Sequence, residues 1–278
     1  MRRPPEVTAT QVKILMSHHH CAVILVEGPS DITLYRRFVD QSCCGLETAF
    51  NKADTLATME ILQESHLEGV LAVVDANHMR LSGISLMDNV YCTDTHDAET
   101  VMLESQSLDK VLYEFGSEDR IRGLDDDIRT LLLQNGLPLG YFRWLSTSYG
   151  LNLKFEGLKF GSFIGRDFHV NIDKLFEAIK NNSNRHDLAD GLKEEVLELV
   201  DEGDQNPYDI CCGHDLVDIL AVGLRKSFGN VYGRTITPIL VSTHLRTGYE
   251  TNYFESTRLY ESIRNWENHN PGYRVFPD

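Results

Sequence analysis

Alternating apolar runs and amphipathic segments fill the first hundred residues. The runs CAVILV (21–26) and GVLAVVD (69–75) are apolar almost throughout, and shorter runs at 46–50 and 89–92 complete a set of four predicted strands. The segments 30–40 and 53–67 carry apolar side chains at helical spacing, and Ser30 is expected to cap the first of them. Apolar strands that alternate with helices indicate a parallel sheet covered on both faces.

The pattern becomes mainly helical after Glu99. We expect one helix over 97–115, one ending at Gly136, and a separate one beginning at Pro138, because proline favours the first helical turn. Residues 152–164 are expected to form a small hairpin, and further helices follow, including one over 213–229. The prediction is an α/β catalytic domain over residues 1–105 and a mainly helical domain over 106–278.

Composition narrows the class of protein. The chain has 278 residues, of which 42% are hydrophobic, so it can bury a sizeable core. No run of 18 apolar residues occurs, and residues 1–20 lack the apolar segment of a secretory signal, so we expect neither a membrane span nor secretion. Six cysteines without a CxxC motif argue against a zinc site and favour free thiols in a reducing cytoplasm.

The net charge of −16 disfavours non-specific binding of duplex nucleic acid through a basic face. No basic tail or arm is present. An acidic protein can still act on nucleic acid if metal ions neutralise its site and a local patch contacts the phosphates.

Acidic residues stand where the predicted strands end. In an open parallel sheet, ligands bind beyond the carboxyl ends of the strands. Carboxylates that converge there repel one another by several kcal/mol, and a magnesium ion bound to their oxygens relieves that repulsion. The residues concerned are Glu27, Asp31, Asp75, Asp94, Asp97 and Glu99.

Structural roles compete with metal binding at several of these positions. Asp31 can stabilise the first turn of its helix, and Asp94 can be a turn residue. Asp97 can be the N-cap of the next helix, which leaves Glu99 as the better ligand. Glu27 and Asp75 each follow an apolar run and do not fit a usual capping position.

The stretches VEGPSD, VVDAN and TDTHDAET resemble the Toprim fold, which topoisomerases, primases and several nucleases share. The chain is most similar to a Toprim-like family of bacterial proteins that pair with ATPases in anti-phage systems, including the phage anti-restriction-induced system (PARIS). The resemblance covers residues 20–105 and touches the rest only at 213–220. The matching positions are Glu27-Gly28, Asp31, Asp75, Asp97-Ala98-Glu99 and Gly213-His214-Asp215.

The resemblance implies a function and a set of roles. In the Toprim fold, a strand-end glutamate and a later Asp-x-Asp bind Mg²⁺, and in PARIS the Toprim partner is a toxic nuclease that acts on transfer RNA. The resemblance therefore implies a nuclease that binds Mg²⁺ (or Mn²⁺) and is held by an ATPase partner until triggered. Asp75 and Glu99 would bind the metal with Asp31 and Asp97 nearby, and Glu27 would bind it or act as general base. Asn77 replaces the second acid of the family's Asp-x-Asp, which leaves open whether one or two ions bind.

Substrate contacts are less clearly marked. Lys154, Lys159 and Arg166 form the one locally basic stretch and can contact phosphates or be solvated surface. His214 can contact the substrate or be a turn residue, and Asp215 can cap its helix.

Two hypotheses follow. The first is a Mg²⁺-dependent nuclease acting in the bacterial cytoplasm as the RNA-directed toxin of a defence operon. The second is a non-catalytic Toprim-fold partner of an ATPase, which the net charge favours slightly. The apolar excess of the helical part is compatible with a homodimer. No GxxxxGK[ST] motif occurs, so this chain does not bind ATP in that way.

Overall fold

The computed structural model describes residues 3–19 and 21–277. Residue contacts divide the chain into two compact units, one formed by residues 1–98 with 250–278 and the other by residues 99–249. This division differs from the expected boundary near residue 105, because the last 29 residues return to the first unit. No helix in the described part of the chain combines the length and apolar character needed to cross a bilayer.

The first unit contains a four-stranded, all-parallel sheet flanked by helices, which confirms the predicted fold class. The strands are β1 (Ala22–Val26), β2 (Cys44–Thr48), β3 (Val70–Val74) and β4 (Val90–Cys92). Their order across the sheet is β2-β1-β3-β4. β1 and β3 are buried at every position, as expected for central strands covered on both faces.

The helices of this unit are mostly short. They are α1 (Pro5–His19), α2 (Pro29–Tyr35), α3 (Lys52–Glu64), α4 (Met79–Ser82), and, at the C-terminal end, α14 (Thr251–Glu255) and α15 (Arg258–His269). Helix α1 was not predicted; its buried Ala9, Val12 and Met16 join β1, β3 and α3 in one hydrophobic core. The prediction that Ser30 is the N-cap of α2 was wrong. Gly28 is the N-cap, and Pro29 begins the helix.

The C-terminal segment belongs to the first unit through aromatic and polar contacts. Phe254 stacks on Phe38, with ring centroids 4.5 Å apart. The indole of Trp266 donates to the side chain of Asn89 at 3.1 Å. These partners lie more than 150 positions apart in the sequence, so no local pattern could have shown the return of the chain.

The second unit is almost entirely helical. Its helices are α5 (Ala98–Glu104), which begins at the boundary, then α6 (Ser107–Phe115), α7 (Glu118–Ile121), α8 (Ile128–Ser148), α9 (Ile172–Ser183), α10 (Gly191–Glu202), α11 (Pro207–Ile210), α12 (Gly213–Gly223) and α13 (Pro238–Gly248). A 3₁₀ turn occupies Phe160–Ser162, and a π-helical turn, Leu224–Phe228, follows α12.

Several local predictions in this unit were wrong. The single helix expected over 97–115 is divided into α5 and α6 by a turn at residues 105–106. Pro138 does not begin a helix but lies inside α8. A proline there costs roughly 3 kcal/mol, and the burial of Leu139, Tyr141 and Phe142 just beyond it offsets that cost. The expected hairpin at 152–164 is instead a loop with one 3₁₀ turn, stabilised by the buried rings of Phe160 and Phe163, whose centroids are 5.4 Å apart.

Candidate metal centre

The sheet order creates a crevice between β1 and β3. The chain leaves β1 towards β2 on one side, whereas β3 lies on the other side and leads to β4. The connections that leave β1 and β3 therefore run in opposite directions across the sheet. In open parallel sheets, ligands bind at such a switch point. Glu27 directly follows β1 and Asp75 directly follows β3, so both stand at the mouth of the crevice.

A hydrogen bond joins these two strand ends. The backbone N–H of Asp75 donates to Oε1 of Glu27 at 2.8 Å. The carboxylate of Glu27 therefore lies across the gap between the strands rather than in solvent. Burial raises its pKa above the ordinary glutamate value; the Asp75 bond and Lys52 oppose this rise, while Asp31 and Asp97 add to it.

Asp31 lies close to Glu27 but also has a structural role. Its Oδ2 accepts the N–H of Gly28 at 2.8 Å, which completes a capping box at the start of α2. The prediction that Asp31 stabilises the first turn of its helix is thus confirmed. The same geometry holds its carboxylate beside the end of β1, where it acts on the pKa of Glu27.

Asp97 approaches from the loop after β4. It is 2% exposed and directly precedes α5, and Oδ1 of Asp75 accepts the N–H of the next residue, Ala98, at 3.3 Å. Its effect on the pKa of Glu27 places it in the same group of charges. The first unit therefore places four of the five predicted ligands at one edge of the sheet, where Asp31 and Asp97 act on the pKa of Glu27, and we call Glu27, Asp31, Asp75 and Asp97 the acidic cluster.

Glu99 is the first residue of the second unit. It is buried, and its Oε2 lies 4.0 Å from Nδ1 of the exposed His214 at the start of α12. The predicted role of Glu99 as a ligand of the same cation stays a prediction.

Asp94 has a structural role. Its two carboxylate oxygens accept the N–H groups of Arg258 and Leu259 at 2.7 and 2.9 Å, and so cap the N-terminus of α15. The structural alternative for Asp94 is thus realised as a helix cap rather than as a turn residue, because the helix that it caps returns to this unit from the far end of the chain.

Asp215 does not cap its helix as proposed. It is the third residue of α12 and forms a two-pronged ion pair with Arg143, at 2.6 and 2.7 Å. The guanidinium also lies 4.5 Å from the ring centroid of Phe155. Asp215 is only 4% exposed, whereas the side chain of Arg143 is 27% exposed, so the pair joins a buried carboxylate to a partly exposed guanidinium.

Sequence reasoning missed Lys52. This residue begins α3, and its ammonium group donates to the carbonyl of Asp75 and to Sδ of Met79. Burial lowers its pKa, and Glu27 and Asp75 oppose that change. Its position just beyond the end of β2, on the same edge as the acids, was the available signal.

Two histidines near the cluster were also missed. The rings of His78 and His96 lie 4.7 Å apart, and a ligand atom of the buried His96 comes within 4.8 Å of one on Asp97. The carbonyl of His96 accepts the N–H of Asn77 at 2.6 Å. Asn77 has φ = 48°, a left-handed conformation that asparagine adopts readily, so backbone geometry gives a reason for asparagine at this position.

The predicted substrate residues lie in the second unit. Lys154 and Lys159 are exposed in the loop that leads to the 3₁₀ turn, and Arg166 lines a pocket with two lysines that the sequence did not indicate. The six cysteines, all within the described residues, form no disulfide bonds. The chain matches no protein-family model, and a search of curated proteins finds no similar sequence.

Proposed function

We propose that this chain is a Mg²⁺-dependent, Toprim-like nuclease that cleaves phosphodiester bonds in RNA such as transfer RNA. It would act in the bacterial cytoplasm as the toxic effector of an anti-phage system. The observation that carries the proposal is the hydrogen bond from the Asp75 N–H to Glu27, which holds the Glu27 carboxylate against the end of β3 at the switch point of a parallel sheet.

The residues of the acidic cluster fit a hard divalent cation. Carboxylate oxygens are the ligands that Mg²⁺ prefers, and Mn²⁺ accepts the same set. Among the charged groups that act on Glu27, Lys52 lowers its pKa, whereas Asp31 and Asp97 raise it. When bound, the metal would stabilise negative charge on phosphate oxygens.

Glu27 has properties suited to either of its two expected roles. A carboxylate held by one backbone N–H and partly withdrawn from water can bind a cation through its second oxygen. Its raised pKa also brings it closer to neutrality, which favours accepting a proton from an attacking water. Asp31 and Asp75 would hold the cation or orient Glu27.

Cleavage of transfer RNA by purified protein with added Mg²⁺ tests the proposal. We expect Glu27→Gln and Asp75→Asn each to reduce the cleavage rate by at least about 100-fold, because each removes a charged group that contacts the reacting centre. Glu60→Gln and Asp88→Asn are matched controls, since both acids are exposed in the same unit. Equal cleavage by all four variants and the wild type would refute the nuclease assignment.

An ATPase partner is proposed on the resemblance of the chain's motifs to the anti-phage family. The net charge of −16 fits storage of the protein on a basic partner surface, and it also favours the alternative of a non-catalytic scaffold. Growth of cells that express the chain separates the two. Arrest by the wild type but not by Glu27→Gln supports the nuclease; co-purification with an ATPase without arrest or cleavage supports the scaffold.

A further inference from the structure

A pocket of about 410 Å³ lies in the second unit, at the loop that connects the 3₁₀ turn to α9. Its size is within the range of ligand-binding clefts. Three cationic side chains line it, Arg166, Lys174 and Lys226, against the single carboxylate of Asp167. The lining of the pocket therefore carries net positive charge, although the whole chain has a net charge of −16.

The loop that forms the pocket is fixed from behind. Ile164 and Val170 form an antiparallel bridge, and the N–H of Gly165 donates to the carbonyl of His169 at 3.0 Å. The buried amide of Asn135 in α8 donates to the carbonyl of Phe168 at 2.7 Å and accepts the N–H of Val170 at 2.6 Å. A ligand would therefore bind to a preformed surface, and binding would not cost the entropy of ordering the loop.

Lys226 reaches the pocket from the π-helical turn. Its ammonium group donates to the carbonyl of Gly161. A Cβ at position 161 would stand 3.0 Å from Nζ and 3.4 Å from Cε of the lysine, so a larger residue there would displace the ammonium group by a few tenths of an ångström. Single π-helical turns are rare and often occur at functional sites. The arrangement holds one cation in place, while the exposed Arg166 and Lys174 extend the positive surface.

We propose that this pocket binds phosphate groups of a nucleic-acid backbone. The inference deepens the proposed function and rests on it for the identity of the substrate. Three separate cations around an open pocket match consecutive phosphodiesters, each of which carries one charge. Arg166 can donate two parallel hydrogen bonds to a phosphate, and Lys174 and Lys226 act as point charges.

Binding of a fluorescent 20-nucleotide single-stranded RNA, measured by anisotropy in EDTA with the full chain, tests the inference without any cleavage. The variant Arg166→Ala/Lys174→Ala removes two exposed cations and leaves the Lys226–Gly161 contact intact. The matched control Arg122→Ala/Arg234→Ala removes the same charge from exposed positions in the same unit that do not line the pocket.

We expect the pocket variant to bind the RNA roughly 10-fold more weakly than the wild type and to lower the slope of log affinity against log salt by about 1.4, or 0.7 per lost phosphate contact. The control variant should change the slope by less than half as much. Equal effects of the two variants, or no binding of RNA by the wild type, would overturn the inference.

Competing anions identify the ligand class. Suppose that inorganic phosphate or a poly-glutamate peptide binds the wild type but not the pocket variant, whereas RNA binds both proteins equally. That result would also overturn the inference. The proposed function fails separately: if the pocket variant loses RNA binding as expected but the wild type shows no Mg²⁺-dependent cleavage, the pocket stands and the nuclease assignment falls.

Discussion

Replacing Glu27 by glutamine tests the link between the acidic cluster and stability. In the wild type, the carboxylate is held in a partly buried place by the Asp75 N–H, among like charges from Asp31 and Asp97. Glutamine keeps an oxygen to accept the same N–H but removes the charge. Without a divalent cation, we therefore expect Glu27→Gln to be at least as stable as the wild type at pH 7.5.

The sign of this effect follows from the raised pKa of Glu27. A carboxyl group with a higher pKa in the folded state loses stability as the pH rises from its unfolded value through its folded value. Above its folded-state pKa the carboxylate is ionised, and its burial then opposes folding. Removing the charge relieves that penalty, and the advantage of Glu27→Gln should disappear below the ordinary glutamate pKa.

Magnesium should reverse the order of the two proteins. A cation present at 100 times its dissociation constant stabilises the wild type by about 2.7 kcal/mol. For a chain of this size that corresponds to a rise in Tm of roughly 5–10 °C. If the substitution weakens binding 100-fold, the gain at the same concentration falls to about 0.4 kcal/mol, or roughly 1 °C.

Thermal unfolding followed by circular dichroism, with and without Mg²⁺, measures these shifts. Glu60→Gln in the exposed face of α3 is the control and should show the wild-type rise. A rise in Tm for Glu27→Gln equal to that of the wild type would show that this carboxylate does not bind the cation.

Three further predictions concern groups around the cluster and in the second unit. Lys52→Met should enlarge the Mg²⁺-dependent rise in Tm, because the ammonium that now contacts Asp75 no longer competes with the cation; an unchanged rise would contradict this. Asp215→Ala should destabilise the second unit by about 2–3 kcal/mol in urea unfolding, since it removes two charge-assisted hydrogen bonds to the partly exposed Arg143, and the double replacement Arg143→Met/Asp215→Leu should cost less than the single one. Asp127→Ala should cost about 1 kcal/mol, whereas Asp127→Asn, which can still cap α8, should cost little at pH 7. Because hydrogen bonds lower the pKa of Asp127, its contribution should be present above the ordinary aspartate pKa and fade as the pH falls below it, and a pH-independent cost would contradict the assignment.

The strands and the edge at which the acids meet were predictable from the sequence. Apolar runs such as 21–26 and 69–75 are long enough for one buried strand and are followed by residues that stop it. Parallel strands end at a common edge, so a Glu or Asp directly after each run must stand on that edge. The adjacency of β1 and β3, which makes Glu27 and Asp75 partners, depends on the order of strands and could not be deduced from the runs alone.

The errors share one physical cause, which is that distant partners decided the local structure. Pro138 continues a helix because packing on both sides outweighs the lost backbone bond. Asp94 caps a helix that is distant in sequence, and Lys52 is drawn to the carbonyl of Asp75 across the sheet edge. None of these partners lies within the window over which periodicity or capping rules operate.

The most direct measurement is the anomalous scattering of Mn²⁺ in a crystal of the full chain. We expect an anomalous peak for Mn²⁺ bound by carboxylate oxygens of Glu27 and Asp75 at the carboxyl edge of the sheet. We expect no peak there in a Glu27→Gln crystal soaked in the same way. A well-diffracting wild-type crystal in saturating Mn²⁺ with no peak between these two carboxylates would contradict the proposed metal site.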